Sequence, residues 1–408
     1  MPNMEVQFCG VRLKNPVVAA SAEPTLNAHN MKKCIDTGAG GVIAKTMTDS
    51  PAMRELTTRS KWRFLNERHE VCRGKVPRAF SLYGRSGLAL EPPEQFLPEI
   101  VETVRHAKEN DAIVIGSVAS TELEGWVQLA RQIEETGVPL IECNFGCPHP
   151  HMMPGVRTGM EVGQDFDYAC EITQAVCEAV RVPVMIKVTP QVTSLIDFCG
   201  RLIKAGAKAV TLTNRFIGFV PDIETGKPLI YGQAGVGGPW IKPLTLRWVH
   251  NIRQAFKDEI FIAGTNGAYD WRDLVMFIMC GAHIVEMCSA VMVYGYEWLG
   301  KQVCGLEKFM NEKGYEDLDQ MRGIASDAAM AYADMPPEKA KVNPEFCTNC
   351  GRCLKACFYQ AMQPGDEHTW VQEANCIGCG GCYSVCPVPG AIDIRAHQKY
   401  FQKSASAG

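Results

Sequence analysis

The chain has 408 residues, 46% of them apolar and 21% charged, a balance that excludes a disordered, collagen-like or coiled-coil protein. Its 41 Lys and Arg stand against 45 Asp and Glu, a net charge of −4, so there is no polybasic footprint for nucleic acid or anionic lipid and small-molecule partners are expected. The length suits one large domain of roughly 250–300 residues with a small appendage.

Residues 6–14, with Gly10 as the turn, are expected to form an opening hairpin. Eight short apolar runs suited to buried parallel strands follow, at 17–20, 41–44, 112–116, 140–144, 184–188, 209–213, 260–264 and 284–287. Helical patterns ending in small-residue turns lie between most of them, as at 126–136, 168–180 and 194–204. This alternation predicts an α/β fold, a (β/α)8 TIM barrel. The intervals 45–111 and 214–259 are too long to be only a helix. Both follow strand C-terminal ends, where such barrels build their sites, so they are expected to be lids and substrate loops.

Residues 274–293 are nearly all apolar, but His283 and Glu286 interrupt them and Gly281-Ala282 splits them. A helix, a turn and a buried strand explain the run better than a membrane span. The first 21 residues show no charged start, apolar core and small-residue cleavage site, so a cytoplasmic location is expected, with thiols reduced or metal-bound. Residues 300–344 carry helical, polar patterns and Met335-Pro336-Pro337. The expected division is a barrel over 1–300, a helical connecting segment over 301–344 and a cysteine-rich domain over 345–400.

Eight of the 19 cysteines crowd into residues 347–386. Cys347, Cys350, Cys353 and Cys357 follow C-x2-C-x2-C-x3-C, and Cys376, Cys379, Cys382 and Cys386 repeat it, the second time followed by Pro387. This is the spacing of two-cluster bacterial ferredoxins, in which the fourth cysteine of each run ligates the other cluster. Cys347, Cys350, Cys353 and Cys386 are thus expected to hold one [4Fe-4S] cluster, and Cys376, Cys379, Cys382 and Cys357 the other, in a C-terminal 2[4Fe-4S] ferredoxin-like domain. Gly351, Gly378, Gly380 and Gly381 let the loops curl. Zinc is the alternative use of eight thiols, but zinc ribbons separate their cysteine pairs by longer spacers. The first run has Phe358 where proline usually follows.

Several barrel motifs taken together resemble dihydroorotate dehydrogenase-type barrels: Asn15-Pro16 with Ala20-Ser21, Ala44-Lys45-Thr46, Glu142-Cys143-Asn144-Phe145-Gly146-Cys147-Pro148-His149, Ile186-Lys187-Val188-Thr189-Pro190, and Thr213-Asn214. With the cysteine-rich tail, the chain most resembles the flavin and iron-sulfur portion of dihydropyrimidine dehydrogenases in its separate bacterial subunit form. The resemblance implies FMN held by Ser21, Lys45, Thr46, Lys187, Gly238, Gly264, Thr265, Gly267, Cys288 and Ser289, with Lys187 as the cation that stabilises the reduced ring. It implies Cys147 as the acid that protonates one carbon of an activated C=C while flavin N5 delivers hydride to its neighbour. Asn144, Gly146, Asn214 and Arg215 would meet the substrate, His149 would modulate the loop and Arg157 would help to close it. Thr265 stands where the family usually has a second glycine.

The pyrimidine-reducing members carry an Asn-x-Glu pair before the third strand, whereas residues 80–87 here read Phe-Ser-Leu-Tyr-Gly-Arg-Ser-Gly. Phe64-Leu65-Asn66-Glu67 is the nearest substitute. Gly146 replaces a usual serine and Arg215 a usual threonine. Three functions stay open: a uracil or thymine reductase, the same hydride chemistry on another unsaturated substrate that bears a carboxylate, and a non-catalytic electron carrier. No strand-Gly-x-Gly-x-x-Gly-helix unit is found, so an NAD(P)H-oxidising flavoprotein subunit or a ferredoxin is expected to supply electrons. An oligomer is also expected.

Overall fold

A computed structural model describes residues 1–149 and 155–394. It divides into two compact units, Met1–Ala328 and Ala329–Gly408.

The first unit is a closed barrel of eight parallel strands in sequential order: β1 (Val17–Ala19), β2 (Gly41–Ile43), β3 (Ile113–Val118), β4 (Leu140–Phe145), β5 (Val184–Val188), β6 (Ala209–Leu212), β7 (Phe261–Gly264) and β8 (Ile284–Met287). All eight expected strands are present. Each is buried almost throughout, which is why they read as continuous apolar runs and not as alternating ones. β8 closes on β1 with Val285 opposite Val17 and Met287 opposite Ala19. In register, Ser117 of β3 stands opposite Glu142 of β4, and Asn144 of β4 opposite Lys187 of β5.

The opening hairpin pairs Val6–Phe8 with Val11–Leu13 through Cys9 and Gly10, both at positive φ, the geometry a two-residue hairpin turn needs. The apolar run near residue 280 resolves as expected. A helix over Trp271–Cys280 is capped at its start by Asp270 with Asp273 reciprocating and ended by Gly281 at φ 120°, before β8 begins. Among the described residues no helix is long and apolar enough to cross a membrane.

The two long excursions form one feature. Strands Lys61–Leu65 and Ser81–Arg85 from the first join Ala234–Gly237 and Phe216–Gly218 from the second in a four-stranded antiparallel sheet, with Gly84 opposite Gly235. Leu65, Tyr83, Ile230 and Ala234 make its small apolar core.

The expected boundary at residue 300 differs from the observed division. Helix Glu297–Lys313, placed by the sequence reading partly in a connecting segment, buries Leu299, Leu306 and Met310 in the barrel core. That apolar stripe recurs at helical spacing and has to be covered, so the barrel unit runs on to Ala328.

In the second unit, Ala340–Val342 pairs with Ile392–Ile394 and Met362–Gln363 with Trp370–Val371, around short helices Arg352–Ala356 and Gly381–Val385. The end expected at residue 400 lies outside the described residues.

His283 illustrates how a polar residue is carried in the core. Its Nδ1 accepts the N–H of Ile262 at 3.1 Å and its ring packs on Phe8 and Phe261. Burial, followed by the nearby Arg322 and Arg253, pushes its pKa down to about 3. In the unfolded chain a histidine titrates near 6.5, so stability is lost as pH falls below that value, by about 1.4 kcal/mol per pH unit. Chemical denaturation between pH 7 and pH 5 should show this slope reduced in His283→Gln.

Candidate active site

The C-terminal ends of the barrel strands surround a cavity. Ser21, Lys45, Thr46, Lys187, Gly238, Thr265, Gly267, Cys288 and Ser289 line it, together with Asn144, Cys147, Asn214 and Arg215. Strand order explains the convergence: each side chain lies at or just beyond the end of a strand, and closure of the barrel brings those ends into one ring.

Two expected residues do not line the cavity. A Cβ at Gly264 would lie 2.4 Å from Phe277, so this glycine lets a helix pack against β7. A Cβ at Gly146 would lie 2.5 Å from Asn214 Cβ. Gly146 therefore admits Asn214, whose Nδ2 donates to Asn144 Oδ1 at 3.1 Å. Arg157 is also elsewhere, paired with Asp165 and stacked on Tyr168 at 3.8 Å. Asn66, in the nearest substitute for the missing Asn-x-Glu pair, binds Glu70 and closes an exposed turn.

Sequence reasoning missed Glu23, Ser86, Thr213, Asn266 and Glu286, all of which line the cavity. Their positions just after strand ends, or within β8 for Glu286, were the available signal.

The site is rich in charge. Lys187 Nζ lies 2.7 Å from Glu286 Oε2 and 3.6 Å from Glu142 Oε2, with all three side chains buried. Burial works against the ammonium, but the two carboxylates outweigh it and hold the lysine pKa above its usual range. Glu142 is pushed up to about 7, first by burial and then by Glu286, against the pull of Lys187. Lys45 pairs with Glu23 at 3.5 Å.

Cys147 Sγ lies 3.5 Å from His149 Nδ1, and His149 Nε2 contacts Gly84 O at 3.2 Å and the N–H of Ser86 at 3.3 Å. Burial pushes the His149 pKa down to about 3, so the ring is neutral at working pH. Burial also raises the Cys147 thiol, so that it keeps its proton near neutrality. Arg215 donates to Gly84 O at 3.2 Å and Ser86 Oγ at 2.9 Å. Among the described residues no carboxylate lies within ion-pair distance of its guanidinium. Asp222, seven residues farther along the same excursion, accepts the N–H groups of Glu224 and Thr225. Gly235 and Gly237 leave the slot in which Arg215 lies, since a Cβ at either would come within 3.1 Å of it.

FMN is the cofactor these residues would have to fit. Among the described residues Thr213 Oγ1 and Glu286 Oε1 find no hydrogen-bond partner although both are buried and their residues line the cavity, so the wall has polar atoms left for a ligand. Two lysines, several hydroxyls and glycine turns suit the anionic, hydroxyl-bearing cofactor.

In the second unit the eight thiols sort into two sets. Cys347, Cys350, Cys353 and Cys386 ring one cavity, and Cys357, Cys376, Cys379 and Cys382 ring another. These are the two ligand sets expected from the spacing. Among the described residues no three potential ligands converge closely enough to hold a single ion. The repeated loops use the same device: Gly351 and Gly380, each following a ligand cysteine, are left-handed and start the next helix. Backbone N–H groups of Ala340 and Ala361 donate to Cys376 Sγ and Cys357 Sγ at 3.3 and 3.2 Å.

Comparison with known proteins agrees with both units. The dihydroorotate dehydrogenase family matches residues 74–310, and the 4Fe-4S dicluster domain family matches residues 340–394. The chain is 28% identical to the NAD-dependent dihydropyrimidine dehydrogenase subunit PreA of Escherichia coli strain K12, over 96% of this chain and 95% of that protein. It is 31% identical to the catalytic subunit of dihydroorotate dehydrogenase B (NAD(+)) of Methanothermobacter thermautotrophicus, over 79% of this chain and 99% of that protein. The chloroplastic dihydropyrimidine dehydrogenase (NADP(+)) of Arabidopsis thaliana is 28% identical, over 82% and 79% of the two chains.

The dicluster family implies two clusters, and two cubanes contain about eight irons. Cys386→Ala, which removes the ligand that crosses over from the second run, should lower iron and acid-labile sulfide in anaerobically purified protein toward half while FMN content is kept.

Proposed function

The chain belongs to the dihydroorotate dehydrogenase family, flavin oxidoreductases acting on CH–CH bonds, and on that premise we propose that it reduces an activated C=C with electrons received through its iron-sulfur domain. FMN, when bound, supplies the hydride. The observation that carries this reading is the Cys147 thiol, held against His149, in the same cavity as Lys45 and Lys187.

Cys147 gives its proton to the carbon beside the one that receives hydride, and takes it back when the reaction runs in reverse. His149, neutral and bonded to the thiol, fixes the direction of Sγ. Asn144 and Asn214, tied to each other, offer amide groups to substrate carbonyls and N–H groups. Lys187 balances the negative charge that reduction brings into the cavity. A non-catalytic electron carrier would leave the oriented thiol without a role.

The default substrate is a pyrimidine, supported by the likeness to dihydropyrimidine dehydrogenases across nearly the whole chain. Relatives that are named as subunits support a partner subunit here, an NAD(P)H-oxidising flavoprotein or a ferredoxin that feeds the clusters. Arg215 favours a second reading. A neutral ring offers a guanidinium no charge to pair with, whereas a carboxylate takes two parallel charge-assisted hydrogen bonds. Among the described residues the Arg215 side chain has a carbonyl and a hydroxyl as its hydrogen-bond partners, and it lines the cavity. An unsaturated carboxylate is therefore the competing substrate class.

Cys147→Ala should keep FMN and remain reducible by dithionite while steady turnover falls by about two to four decades. Near-normal turnover would return Cys147 to an ordinary buried thiol.

The two substrate classes separate in a panel of uracil, thymine and unsaturated carboxylates assayed with a chemical electron donor. If Arg215 reads a carboxylate, Arg215→Thr should lower kcat/KM for the acids by about tenfold or more and leave uracil unchanged or improved. Efficient uracil turnover by the parent, unaffected by the substitution, would establish the pyrimidine reading.

A further inference from the structure

The buried polar layer beneath the cavity contains more than the cofactor's lysine needs. Two carboxylates, Glu142 from β4 and Glu286 from β8, face one ammonium, Lys187 from β5. β3 and β6 contribute only hydroxyls to Glu142: Ser117 Oγ donates to Oε1 at 3.3 Å and Thr211 Oγ1 to Oε2 at 3.2 Å. From Ser117 the hydroxyls continue without a break, to Thr46 Oγ1 at 2.9 Å and from there to Ser21 Oγ at 3.0 Å. Ser21 and Thr46 line the cavity, whereas Glu142 is fully buried.

We propose that Ser21, Thr46 and Ser117 form a proton path from the cavity to Glu142, and that the Glu142–Lys187–Glu286 cluster takes up a proton along it when the bound flavin is reduced. The inference rests on the FMN reading above. Two carboxylates on one buried ammonium leave an uncompensated negative charge, which burial opposes. Glu286 has the shorter contact to the ammonium. Glu142 is farther away, and its hydroxyl partners can rotate, donating to a carboxylate or accepting from the acid. Its upward shift, caused by burial and then by Glu286, agrees with this division.

Two electrons, passed singly from the iron-sulfur centres, would reduce the bound flavin together with one proton. The negative charge so added favours a second proton, which forms an O–H bond on Glu142. When the pair leaves as hydride, Glu142 is again favoured as carboxylate. Its proton returns along the same hydroxyls to the cavity in which the Cys147 thiolate has to be reprotonated.

The test is a spectroelectrochemical titration of the FMN-loaded full chain between about pH 7.5 and 9. Each proton taken up with an electron pair changes the affinity for that pair tenfold per pH unit, about 30 mV. The parent should take up two protons per pair, and Glu286→Gln and Glu142→Gln one each. Ser117→Ala should still take up two at equilibrium, but after rapid reduction its uptake should be about tenfold slower or more. One proton in the parent, or two in both glutamine variants, would overturn the storage site, and unslowed uptake in Ser117→Ala would overturn the path. Failure of the parent to bind FMN is a separate result, which overturns the family reading itself.

Discussion

A lysine ammonium inside a barrel has to be paired, because an isolated charge taken from water costs several kcal/mol even after the surroundings relax. Lys187 meets this constraint through partners from two other strands, Glu142 and Glu286, and so joins β4, β5 and β8 at one level of the barrel. Below that level the interior is apolar and packed; above it opens the cavity. The polar layer is a floor in which two carboxylates share one ammonium while Ser117 and Thr211 donate to the two oxygens of Glu142.

Above the floor, reactive groups are held by neutral partners. His149 is too buried to carry charge, and it bonds the Cys147 thiol on one side and the backbone of the Gly84–Ser86 segment on the other. Arg215 grips the same two residues. The thiol and the guanidinium, from separate barrel strand ends, thus share one support, a strand of the antiparallel sheet.

Much of this was legible in the sequence. Eight apolar runs gave eight strands, since parallel strands buried on both faces need little polar patterning. The two cysteine runs anticipated which thiols the structure groups together, because the repeated spacing, with its fourth cysteine turned toward the other set, is itself a sequence motif. Glu286 is the instructive omission. In sequence it served only as a polar interruption that argued against a membrane span, and its ion pair with a residue 99 positions away has no local signature. The same holds for the antiparallel sheet, whose central pairing of Gly84 with Gly235 joins loops that the sequence presents as unrelated insertions. Gly264 was misread for the opposite reason: a glycine beside a site has the same appearance whether it admits a ligand or, as here, the ring of Phe277.

That sheet also bears on how such a protein could change over time. Arg215 sits in a slot left by Gly235 and Gly237 and is anchored on Gly84 and Ser86, so its position is written in two stretches of chain that no single loop exchange would carry together. A swap of residues 214–237 from a relative would bring in an arginine or a threonine without its matching anchor. Selectivity here should therefore evolve by paired steps: a change in one excursion becomes neutral or useful only after a permissive change in the other. Descendants with altered diets would be recognisable by correlated replacements across the two segments.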